Sequence, residues 1–124
     1  PAELALPAAG QGALGIEAVA ARPEVAQWGA PLNDAATSAC VHAERAVSRA
    51  LAGSCEVPLG AYAEMHDGGI RLRGFVAVPD GKRLCAAEVI GAADDAEALG
   101  LQLASRLRDQ GADQILAALA TYAR

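Results

Sequence analysis

Two short turns constrain the fold of this chain more than any other feature. His66-Asp67-Gly68-Gly69 and Pro79-Asp80-Gly81-Lys82 are built from residues that tolerate positive φ or favour chain reversal. They separate three strand-like runs, at residues 57–65, 70–78 and 83–90. In the middle run Ile70, Leu72, Gly74, Val76 and Val78 share one face, while Arg71, Arg73, Phe75 and Ala77 share the other. Connections this short can join only antiparallel neighbours, so the expectation is a three-stranded meander.

Helical patterns flank the meander. Ahead of it, Ala36, Cys40, Ala43, Val47 and Ala50 or Leu51 recur at three and four residues. They predict an amphipathic helix over residues 34–52, capped by Asn33 or Asp34 and ended at Gly53, with Glu44, Arg45 and Arg49 toward solvent or a partner. After it, Asp94 and Glu97 suggest a capping-box start, and Ala96, Leu99, Gly100, Leu103 and Leu107 form a buried stripe that Gly111 ends. A shorter helix over residues 113–122 presents Ile115, Leu116 and Leu119. The fold class is therefore α+β: a three-stranded antiparallel sheet covered on one face by about three helices.

The first thirty residues read differently. Pro1, Pro7, Pro23 and Pro31, with Gly10, Gly12, Gly15 and Gly29, leave only residues 13–18 open to a short strand. A boundary near residues 29–31 is expected, separating residues 1–30 from a domain over residues 31–124. Because the chain opens on Pro1 rather than Met, it reads as a piece of a longer protein.

Composition narrows the function classes. A formal net charge of -5 gives no basic field for a phosphate backbone, so nucleic acid is not an expected partner. Three cysteines, Cys40, Cys55 and Cys85, are an odd and sparse set, which favours a reducing, cytoplasmic compartment over a disulfide framework. The apolar stretch at residues 4–16 is interrupted by Pro7 and three glycines and has no basic flank, so neither a membrane span nor a signal peptide is expected.

Gly10-Gln11-Gly12-Ala13-Leu14-Gly15 matches the G-x-G-x-x-G dinucleotide fingerprint. That chemistry needs a strand before the glycines and a long helix opening after them, and Pro7 and Pro23 deny both. Close backbone packing at a domain crossing is the better reading. His42 and His66 do not combine with any cysteine at zinc-ligand spacing, so no metal site is expected. Cys40 lies on the apolar helical stripe and Cys85 within a strand, both positions of packing. Cys55 differs, because Gly53-Ser54-Cys55-Glu56 reads as a loop between helix and strand that a ligand could reach. Accessibility alone does not make it reactive, and the helix C-terminus and Glu56 both disfavour a thiolate.

Three segments together resemble the hydroxymethylbilane synthase (porphobilinogen deaminase) family. They are Leu6-Pro7-Ala8-Ala9-Gly10-Gln11-Gly12-Ala13-Leu14-Gly15-Ile16-Glu17; Ala43-Glu44-Arg45-Ala46 with Leu51 through Cys55 and Val57-Pro58-Leu59-Gly60-Ala61-Tyr62-Ala63; and Leu72-Arg73-Gly74-Phe75-Val76 with Pro79-Asp80-Gly81 and Asp95-Ala96-Glu97-Ala98-Leu99-Gly100. The resemblance covers essentially the whole chain and implies a C-terminal part.

It implies a transferase of heme biosynthesis that joins four porphobilinogen units into the linear tetrapyrrole hydroxymethylbilane, releasing ammonia with each unit added. A dipyrromethane cofactor, bound by a thioether to Cys55, would prime chain growth and stay attached. Loss of a leaving group from a pyrrole gives an azafulvene, an electrophile strong enough for a thiol with no local activation. The resemblance also implies two preceding domains as partners, with residues 1–30 as the crossing between them and the third. No catalytic residue is then expected within this chain, because the catalytic aspartate and most substrate-binding arginines belong to those domains.

Two departures stand out: Val19 occupies a position where the family has arginine, and Ser54-Cys55-Glu56 replaces Gly-Cys-Gln. The alternative from another class is a non-catalytic α+β ligand-binding or regulatory module. Such a module has no need of a loop cysteine within that signature.

Overall fold

A computed structural model describes residues 1–51 and 58–122. The sheet is the expected meander: β1 (Leu59–His66), β2 (Gly69–Ala77) and β3 (Leu84–Gly91) lie in the order β1-β2-β3, antiparallel throughout. Ala61 stands opposite Gly74, and Leu72 is flanked by Ala63 on β1 and Val89 on β3. The turns form as their residues dictate, with Asp67 at φ 49°, Gly68 at 81° and Gly81 at 72°.

Among the described residues four helices accompany the sheet: α1 (Pro23–Gly29), α2 (Ala35–Ala50), α3 (Ala96–Asp109) and α4 (Ala112–Tyr122). The last three pack over one face, with α2 and α3 crossing each other. Gly100 makes that crossing possible, since a Cβ there would collide with the Ala46 side chain and the Ala43 carbonyl. Ile70, Leu72, Val76, Val47, Leu103, Leu107 and Ile115 are fully buried between the layers. Aliphatic side chains and alanines thus fill the core, and Phe75 and Tyr62 lie elsewhere. Phe75 covers Gly60 on the opposite face, and Tyr62 lies under the Arg73 guanidinium at 5.5 Å. Around them Glu64, Arg71, Arg73 and Glu88 form a ladder of ion pairs.

Several expectations need correction. Residues 13–18 form no strand: Leu14 is 99% exposed and no neighbour offers it an edge. Pro23 starts a helix instead of merely breaking the chain, taking the first-turn position where a missing N–H costs nothing. That helix leaves Trp28 69% exposed, away from the core. Asp34 caps α2 by accepting from the Thr37 N–H at 2.7 Å, and the helix runs to Ala50; its expected stop at Gly53 lies outside the described residues. Ala36, placed on the buried stripe, is exposed. The capping box before α3 does not form. The chain reaches α3 through a tight 3-10 turn, Ala93–Asp95, and Glu97 turns outward to pair with Arg49 at 3.3 Å.

The largest difference is Glu44, expected at the surface and in fact 6% exposed. Its carboxylate accepts from the Gly10 N–H at 2.7 Å and from the Ala63 N–H at 2.8 Å.

Candidate functional site

The stretch that carries Cys55 joins two rigid elements. On its N-terminal side Leu51, buried, donates its N–H to the Val47 carbonyl at 3.0 Å and ends α2. On its C-terminal side the Pro58 carbonyl accepts from the Ala77 N–H at 3.1 Å, which ties the start of β1 to the end of β2. Cys55 itself, with residues 52–57, lies outside the described residues.

The other two thiols are accounted for by packing. Cys85 is 4% exposed on the inward face of β3, and its Sγ donates to the Gln110 carbonyl at 3.2 Å. Cys40 is half-buried on α2, in a cleft of about 240 Å³ walled by Gln11 and Gly12 on one side and Tyr62 and Met65 on the other. Burial pushes the Cys40 thiol up, and the carboxylates of Glu44, Glu64 and Asp34 push it further the same way. It is a poor nucleophile at neutral pH.

The glycine-rich segment is a double turn. Gly10 and Gly12 adopt φ of 74° and 89°, Gln11 N–H donates to the Ala8 carbonyl and Ala13 N–H to the Gly10 carbonyl. No helix opens before Pro23, so a pyrophosphate would find no aligned amides here. His42 is exposed on α2, and His66 sits beside Asp67 at 3.3 Å in the first turn. Among the described residues no three His, Cys, Asp or Glu side chains come together as a metal site. Among the same residues no helix is long and apolar enough to cross a membrane.

Glu44 is the residue that the reading of the helix missed. Cys40, Glu44, Val47 and Leu51 are spaced by four, three and four, so the acid stands on the buried stripe itself. A carboxylate at such a position has to be met by donors, and it is.

Residues 38–109 match the family described as porphobilinogen deaminase, C-terminal domain. The chain belongs to that family. Curated relatives named porphobilinogen deaminase agree with this over nearly the whole chain. The protein of Nitrosomonas europaea is 54% identical over 120 residues, 97% of this chain and 39% of the relative. That of Paraburkholderia phymatum is 56% identical over 119 residues, covering 94% and 36%. That of Thiobacillus denitrificans is 56% identical over 117 residues, covering 94% and 38%. The chain therefore spans less than two fifths of the length of these relatives.

Proposed function

We propose that this chain is the cofactor-carrying C-terminal part of a transferase that joins four porphobilinogen units into hydroxymethylbilane with loss of ammonia. Cys55 is the attachment point of its dipyrromethane, held as a thioether. The observation that carries this reading is the family match over residues 38–109, and the disposition of the other thiols supports it. Cys85 is sealed in the core with its sulfur committed to the Gln110 carbonyl, and Cys40 is half-buried with its thiolate disfavoured. The remaining cysteine falls between α2 and β1, inside the stretch matched by the family.

When bound, the dipyrromethane supplies the pyrrole end onto which each new unit is added. The protein's part is to hold that primer in one place, which converts each addition into a local event. Anchoring by Leu51 on one side and Pro58 on the other suits that role, because both ends belong to packed elements.

In this reading residues 1–30 cross from the two preceding domains, which supply the catalytic aspartate and the substrate's arginine contacts. Alone, the chain turns over no porphobilinogen. The longer protein works in the cytoplasm, where its attachment thiol stays reduced until it is loaded.

Denaturing mass spectrometry of the longer protein, with Cys55→Ser beside it, tests the assignment. The expected result is an adduct the size of two linked pyrroles that survives denaturation and vanishes in the variant. An adduct that persists in Cys55→Ser, or that maps to Cys40 or Cys85, overturns it.

A further inference from the structure

We propose that Glu44 is a positioning residue: its carboxylate fixes the N-terminal segment, at the Gly10–Gly12 double turn, against the outer edge of β1. The geometry is specific. One oxygen accepts from Gly10 in the segment and the other from Ala63 in the strand, at 2.7 and 2.8 Å. Both donors are backbone groups, so the bond registers chain path and is indifferent to side-chain identity at either position.

Three neighbouring observations show what is held. Ala61, two residues before Ala63 and on the same edge of β1, donates its N–H to the Pro7 carbonyl at 3.2 Å. Ala9 packs against the core, and the Glu3 carboxylate approaches Arg73 at 3.9 Å. Residues 3–10 are thus strapped along the sheet, and Glu44 is the only side chain of α2 that hydrogen-bonds the strap among the described residues. Beyond the clasp, Gln11 and Gly12 form one wall of the cleft beside Cys40. Glu44 therefore sets the position of that wall. Residues after the double turn lack such a hold, and Leu14 projects free of the domain.

A carboxylate suits this task better than its amide. It offers acceptor oxygens on both sides, whereas glutamine would turn an NH₂ toward one of the two N–H groups. The inference concerns how the segment is seated, and it stands whether or not Cys55 carries the cofactor.

Amide hydrogen exchange on the 124-residue chain tests it, because the Ala61 N–H reports strap docking without touching Glu44. In Glu44→Ala the Gly10, Ala61 and Ala63 amides should exchange faster by about tenfold or more. Leu72 and Val89, paired across β2 and β3, should keep their wild-type protection. Glu44→Gln preserves shape and should still release Gly10 or Ala63. Unchanged Ala61 exchange in Glu44→Ala overturns the proposal. So does an equal loss at Leu72 and Val89, which would make Glu44 a general stabiliser, and so does Glu44→Gln with both Gly10 and Ala63 as protected as in the wild type.

Discussion

Gln110 lies against Ala86 as a neighbouring strand would. Its Oε1 accepts from the Ala86 N–H at 3.0 Å and its Nε2 donates to the Ala86 carbonyl at 2.9 Å. Two residues on, the Glu88 carbonyl accepts from Arg106 at 2.6 Å. Side chains from the end of α3 and just past it thereby occupy the outer edge of β3, which would otherwise present open backbone groups beside exposed Leu84 and Ile90. Gln110→Ala should cost no more than about 1 kcal/mol of stability in urea unfolding. It should also promote association through that edge, seen as a concentration-dependent mass in sedimentation. A variant that stays monomeric at high concentration would show that Arg106 alone suffices.

Gly100 is expected to tolerate no side chain. Gly100→Ala pushes a methyl group into Ala46 and the Ala43 carbonyl, where backbone cannot yield as a flexible side chain can. Overpacking of this kind costs about 1–3 kcal/mol, even though alanine is the better helix former. Chemical denaturation should give the loss, and a neutral result would mean that α2 and α3 can slide apart at little cost.

The pH dependence of stability should carry a contribution from Glu44 of unusual sign for a carboxylate. Burial raises its pKa above the ordinary value of 4.5, and outweighs the bonds from Ala63 and Gly10 that lower it. The folded form then holds its proton to higher pH than the unfolded form does. Its contribution is full below about 4.5 and is lost as pH rises through the folded value. In Glu44→Gln that decline should be absent. Comparing the two proteins by urea unfolding between acid and neutral pH gives the difference, and parallel curves would refute it.

Thiol labelling should separate the two described cysteines. Cys85 should resist iodoacetamide until the domain unfolds, because it is buried and donates to the Gln110 carbonyl. Cys40 should react in the folded chain, slowly at neutral pH and faster only above the ordinary thiol range. Peptide mapping after timed labelling reads both rates. Equal rates for the two would contradict the burial described for Cys85.

Periodic features carried most of the fold. The two turns and the alternation of β2 specified the meander, and the Leu99, Leu103, Leu107 stripe specified α3, because each is a local pattern with a single geometric outcome. What escaped was decided by contacts between distant residues. Nothing near Glu44 announces that the Gly10 and Ala63 N–H groups will converge on it, although its place between Cys40 and Val47 hinted at burial. The α3 capping box failed because the chain enters α3 through a 3-10 turn with no side-chain cap, and Glu97 pairs instead with Arg49 on another helix. The short helix after Pro23 was missed because proline ends helices as readily as it begins them. Cys55 stood out through the motif around it, and the role proposed for it rests on that motif, since its position lies outside the described residues.

The position of Trp28 has a practical consequence for optical studies. It is the only tryptophan in the chain and lies on α1, largely in water and apart from the packed layers. Its emission will therefore follow the leading segment and say little about the sheet and its covering helices. Far-ultraviolet dichroism will follow the helices and strands. Where the two transitions fail to coincide, the gap will look like a folding intermediate, yet it will measure only the separate behaviour of α1, which packs no buried residue of its own.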